Sequence, residues 1–158
     1  VSIFSLDTSA LVKRYITEPG SPWIMAQCHP KTGNTLFISQ ATLVEAVAAF
    51  CRRSRATNSA SWITSEERDK QILVFRQDLY DQYKTVKVKE TTYERAGNLC
   101  RIHQLRAYDA IQLTCALVAN QKLKARNQPS LIFLSSDNKL LEIARAEGFQ
   151  TDNPNNHL

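Results

Sequence analysis

With 158 residues, 43% of them hydrophobic and 22% charged, the chain is long enough to bury one continuous core and too balanced to be disordered or fibrous. Lysine and arginine exceed aspartate and glutamate by 20 to 15, and the resulting net charge of +5 is compatible with a polyanionic partner without requiring one. Cys28, Cys51, Cys100 and Cys115 are widely spaced with no C-x-x-C pair, which argues against a thiolate zinc site. They share no local motif with His29, His103 or His157 that would suggest a cysteine nucleophile.

The first predicted element is a β-prone run over residues 1–6. Asp7-Thr8-Ser9 follows, then a helix over 10–16 that Pro19-Gly20 breaks. Ser21 before Pro22 reads as a helix N-cap, opening a helix to about Cys28. A turn over 31–35 leads to a short strand over 36–39. A long helix is expected over 40–55, with Leu43, Val44, Val47, Ala48 and Phe50 at helical spacing. After a polar break, Thr64 and Glu67 are spaced as a capping box for a helix over 65–83. A third strand is expected over 85–88, and Thr91 with Glu94 suggests a second capping box for a helix reaching His103. Residues 105–108 read as a connection into an apolar helix, 122–129 as a basic loop and 131–134 as a buried strand. A helix over 139–147 closes at Gly148, residues 149–151 suggest an edge strand, and the polar tail over 152–158 is expected to be loose.

Short strands alternating with helices indicate one α/β domain over residues 1–158 with a central parallel sheet. Nothing approaches the ~20 apolar residues of a membrane span, and no secretory signal is visible. An intracellular, cytoplasmic protein with no membrane association is therefore expected. In parallel sheets, ligands sit beyond the carboxyl ends of the strands, and Asp7 and Asp137 each fall at such an end.

Both aspartates are also placed to cap the helix that follows. Thr8 and Ser9 beside Asp7, and Ser135, Ser136 and Asn138 beside Asp137, are alternative caps that would leave the carboxylates for other work. Glu45 stands alone in an otherwise apolar helical stretch, where a carboxylate facing inward is costly unless paired or bound to a metal. Asp109 opens another apolar helix and is either favoured there by the helix dipole or part of a site. Four carboxylates converging on one cleft repel one another unless a cation intervenes. Hard oxygen donors without clustered histidine or cysteine favour Mg²⁺ or Mn²⁺. Such a site suits phosphodiester hydrolysis. The chain has no G-x-x-x-x-G-K-[ST] loop, so it is not a P-loop nucleotide hydrolase.

Four segments then carry a resemblance. Leu6-Asp7-Thr8-Ser9-Ala10-Leu11-Val12-Lys13 is similar to the opening motif of PIN-domain nucleases. Ser39-Gln40-Ala41-Thr42-Leu43-Val44-Glu45-Ala46 is similar to the second, residues 105–113 around Asp109 to the third, and residues 134–141 around Asp137 to the fourth. The ordered set resembles VapC-type toxins of toxin–antitoxin pairs. The resemblance implies a three-layer PIN-like fold, a Mg²⁺ or Mn²⁺ site on Asp7, Glu45, Asp109 and Asp137, and endonucleolytic RNA cleavage. It also implies a supporting hydroxyl at Ser9, a homodimer, and an antitoxin docking near the cleft. Residues 57–83 match no motif of that family.

Lys13 and Arg106 flank the first and third acids and are candidate phosphate contacts. Arg52, Arg53 and Arg55 cluster at a helix C-terminus, where cations are favoured anyway. Trp23, Trp62 and Tyr108 are candidates for base stacking. Among rivals, a haloacid-dehalogenase-like phosphatase needs an acid where Ser9 stands, and the order of acids does not fit a response-regulator receiver. A catalytically silent PIN-like module that binds RNA or protein is the alternative to an enzyme.

Overall fold

Residues 1–157 are described here from a computed structural model. Side chains alternate along its short strands, and that alternation decides the architecture. In β1 (Ile3–Leu6), Phe4 and Leu6 join one core and Ile3 packs on another. β2 (Thr35–Ser39) sends Leu36 and Ile38 to the first core and Phe37 to the second. In β4 (Ile132–Leu134), Ile132 and Leu134 oppose Phe133 in the same way. Strands apolar on both faces need cover on both.

Helices α1 (Thr8–Tyr15), α2 (Ser21–Gln27), α3 (Thr42–Arg55) and α4 (Ser65–Asp81) cover the first face, placing Leu11, Ile24, Phe50 and Phe75 in its core. Helices α5 (Glu90–Ile102), α6 (Ala107–Ala125) and α7 (Asn138–Ala146) cover the second with Leu99, Leu113 and Leu140. With β3 (Tyr83–Val86) and β5 (Gln150–Asp152), the sheet has five strands in the order β3-β2-β1-β4-β5, all parallel. This is the three-layer α/β arrangement expected from the sequence. The strand order reverses beside β1, which opens a crevice at the carboxyl ends of the central strands.

Several local expectations are corrected. β3 begins at Tyr83, and α4 stops at Asp81. The Tyr83 side chain is buried, with its ring 6.3 Å from that of Phe75, and its hydroxyl meets that of Tyr15 at 3.0 Å. Core packing thus claims Tyr83 for the sheet. The Thr64–Glu67 capping box is present, but the Thr91–Glu94 box is not. α5 starts at Glu90, and the Lys89 N–H donates to Thr92 Oγ1. Lys122 and Lys124 lie in the last turn of α6 rather than in a loop.

Gly20, not Ser21, is the N-cap of α2, in a left-handed conformation with φ of 85°. Ser21 Oγ instead accepts from the Glu18 N–H and donates to the Ile16 carbonyl. Through His157 the tail is docked rather than loose; Leu158 lies outside the described residues. Asn153 and Pro154 are buried, and the His157 ring stacks on Trp23 at 4.1 Å and 6°. Among the described residues, no helix is long and apolar enough to cross a membrane.

Gly20 tests the docked tail. A Cβ there would strike the Pro154 carbonyl, whereas one at Gly148, which also has a positive φ, would meet nothing within 4 Å. The left-handed backbone costs either alanine about 1–2 kcal/mol. Gly20→Ala is therefore expected to lower the melting temperature more than Gly148→Ala does. Equal losses in paired thermal melts would contradict the contact.

Candidate active site

β1 delivers Asp7 to the crevice. The Asp7 N–H donates to the Leu134 carbonyl at 3.0 Å, which ties the end of β1 to the end of β4. The Asp7 side chain is only 5% exposed. Its Oδ1 accepts from Ser9 Oγ at 2.7 Å and from the Ala10 N–H at 2.9 Å, and its Oδ2 accepts from Ser135 Oγ at 2.6 Å. Asp7 therefore caps α1 itself, and neither Thr8 nor Ser9 takes that place. The two tasks are compatible, because a carboxylate has about four acceptor directions and three are used here. Burial pushes its pKa up from 3.8 to about 6, with hydrogen bonds opposing the rise and the nearby Asp109 charge adding to it.

Asp137 also caps its own helix: its Oδ1 accepts from the N–H groups of Lys139 at 2.9 Å and Leu140 at 3.3 Å. Its own N–H donates to Ser135 Oγ at 3.0 Å, so one serine serves both aspartates. Ser9 Oγ likewise accepts from the Ser136 N–H at 2.9 Å. The two strand ends are thus stitched together by two hydroxyls.

Glu45 lies one turn into α3 and is half-buried. Its Oε2 accepts from Thr8 Oγ1 and, at 2.6 Å, from Gln112 Nε2. Gln112 Nε2 also reaches Thr8 Oγ1 at 2.6 Å, and Gln112 Oε1 accepts from Thr42 Oγ1 at 3.3 Å. Asp109 opens α6 one turn before Gln112, with Arg106 Nε 3.8 Å from its Oδ2. Burial raises the pKa of Asp109, Arg106 opposes the rise, and the charges of Asp137 and Glu45 add to it. The carboxylates therefore feel one another.

All four acids line one cavity of about 540 Å³, together with Ser9, Lys13 and Arg106. Among the described residues, no three acidic, histidine or cysteine groups stand close enough to form a ready chelate. The donor chemistry nevertheless fits a hard divalent cation: four carboxylates line one space, and neighbouring negative charge raises the pKa of Asp7 and of Asp109.

Lys13 is not a free surface charge but lines the wall of the cavity. It is 4% exposed and paired with Glu18 Oε2 at 3.3 Å. The Arg106 side chain is 88% exposed at the rim. Trp23 packs on the core and Tyr108 lines the cavity, whereas Trp62 points its indole N–H at the Ser54 carbonyl.

The sequence reading missed two groups, Gln112 and Glu18. Gln112 carried a signal, as a lone amide in an apolar helix one turn after Asp109. Glu18 carried none, because its partner Arg53 lies 35 residues away. Arg52 and Arg53 also line the cavity, although their place at a helix C-terminus explained them equally well as surface charges.

Fold and cleft together define a class: a three-layer α/β domain with an acidic cleft at the carboxyl ends of a parallel sheet. A PIN domain family model matches residues 5–146, and the chain belongs to the PIN domain family, whose members are generally nucleases. No curated protein matches the chain. Among solved structures it is similar to VapBC2 from Rickettsia felis bound to a DNA fragment from the promoter. That match has a TM-score of 0.60 and 13% identity over 96% of this chain and 98% of that one. It is also similar to a toxin–antitoxin complex from Klebsiella pneumoniae, with a TM-score of 0.56 and 15% identity over 96% and 97% of the two chains. At these identities the likeness is one of fold.

The raised pKa of Asp7 has a consequence for stability. Between pH 3.8 and about 6 the folded protein keeps a proton that the unfolded chain releases. Stability on this account falls as pH rises through that window, and the penalty is complete above it. Asp7→Asn removes the penalty. In EDTA at pH 8 the variant is expected to be more stable than the parent, by about 3 kcal/mol at most. The advantage should vanish near pH 4. Thermal melts across pH check it; a gap that does not change with pH would refute the burial argument.

Proposed function

We propose that this protein is a metal-dependent endoribonuclease, the toxin of a toxin–antitoxin pair, acting in the cytoplasm as a homodimer restrained by a cognate antitoxin. The observation that carries the reading is that Asp7, Glu45, Asp109 and Asp137, one from each of the four PIN-like segments, line a single cavity. The fold shared with toxin–antitoxin complexes from two bacteria supports the choice of system.

In this reading the four carboxylates hold Mg²⁺ or Mn²⁺. Bound there, it would lend Lewis acidity, which would make water a nucleophile near neutral pH and offset phosphate charge. The protein's own part is positioning. Ser9 and Ser135 hold Asp7, and Thr8 and Gln112 hold Glu45, so neither acid has to be ordered when substrate arrives. Arg106 stands exposed at the rim beside Asp109, where it is free to meet a phosphate.

Incubating a mixed RNA pool with Mn²⁺ tests the reading. The parent is expected to cut internally, EDTA to stop it, and Asp7→Asn or Asp109→Asn to abolish it. Gln112→Ala is expected to lose about 10–100-fold in activity, as second-layer partners of metal ligands typically do. RNA that is bound but left intact by the parent would instead make the protein a silent binding module. If a small DNA-binding protein encoded in the neighbouring reading frame copurifies and blocks cutting, the antitoxin assignment stands.

A further inference from the structure

The cleft has a second end that the carboxylate chemistry does not use. Lys13 and Arg53 meet there on a single carboxylate, Glu18, and Arg52, next to Arg53 on α3, lines the same cavity. The Glu18 side chain is 11% exposed and Lys13 is 4% exposed, whereas Arg53 is 33% exposed and Arg52 is exposed, so the cluster has a buried base and a solvent-facing rim. Glu18 Oε1 accepts from Arg53 Nε at 3.0 Å and from Nη2 at 2.6 Å, while Oε2 accepts from Lys13 Nζ at 3.3 Å.

The donors outnumber the acceptor. An ammonium has three N–H groups and a guanidinium five. Glu18 occupies one on Lys13 and two on Arg53. Among the described residues, Arg52 has no carboxylate within 4 Å. A buried ammonium with one acceptor calls for further oxygen partners. Three positive charges and one negative leave a surplus of two, all lining the same cavity as the acids. A backbone phosphate, with its several acceptor oxygens, answers both needs.

We infer that this end of the cleft is a phosphate subsite for RNA, formed by Lys13, Arg52 and Arg53, with Glu18 as the positioning residue that aims Lys13 and Arg53. The subsite takes a backbone phosphate flanking the one that is cut, so the inference rests on the ribonuclease reading. It also explains why a carboxylate sits in a place meant for an anion. Glu18 makes no contact with RNA, but it fixes two long side chains that would otherwise lose their freedom on binding.

Binding in EDTA separates the subsite from cutting. The probe is a fluorescein-labelled single-stranded RNA of mixed sequence, titrated with the full chain at several salt concentrations. Arg52→Ala and Arg53→Ala are each expected to flatten the slope of log K against log salt by about 0.7, the value for one phosphate contact on a single strand. In Mn²⁺ they should raise KM and leave kcat close to the parent's.

Glu18→Gln gives opposite signs for two accounts. Removing an anion should tighten RNA binding if only net charge matters. Losing the aim of Lys13 and Arg53 should weaken it several-fold, and that is the expected result. Unchanged or tighter binding by folded Glu18→Gln overturns the positioning role. If that variant does not fold, the two arginine variants decide: parental slopes in both overturn the subsite. A parent that cuts RNA while the variants keep its slope refutes this inference alone. A parent that binds no RNA removes the ribonuclease reading as well.

Discussion

The structure turns on a carboxylate buried where the central strand ends. Asp7 is shut away from water and held by three donors from two parts of the chain. A buried charge is tolerated only when its acceptor sites are filled. Here the filling groups are also joints. The Ala10 N–H starts α1, Ser9 reaches the loop after β4, and Ser135 reaches Asp137. The floor of the cleft is therefore one hydrogen-bonded unit, and its shape follows from keeping one acid satisfied.

The walls of the cleft divide by charge. On one side Glu45 is held by Thr8 and Gln112, and Asp109 stands near Arg106. On the other, Glu18 sits among cations. Negative charge thus dominates one side and positive charge the other, each with one counter-charge. This is how a chain with a net charge of only +5 brings positive groups close to an acidic centre without a broad basic face.

The layers were legible because apolar strand residues and helix-spaced apolar positions have no alternative use. Phe4, Leu36, Phe133 and Leu113 are buried as their periods require. The four acids were legible because each lies at a strand end or in an apolar helix. Local competition was not legible. Three or four polar residues at each junction can cap a helix, and geometry rather than composition chose Asp7 and Asp137. Long-range pairing was equally hidden, as between Glu18 and Arg53 or Gln112 and Glu45. Tyr83 was placed on a helix because the helical pattern of α4 runs up to it. Its burial beside Phe75 and Tyr15 decides otherwise.

The stitching of Asp7 to Ser135 spans 128 positions of the chain. A ribosome making this protein emits the acid long before the serine that secures it. Until then β1 lacks its neighbour β4, and the pocket floor has no second half. A nascent chain that stops short of Ser135 therefore lacks the joint that closes the cleft floor, and the pocket can take its shape only once β4 has joined β1.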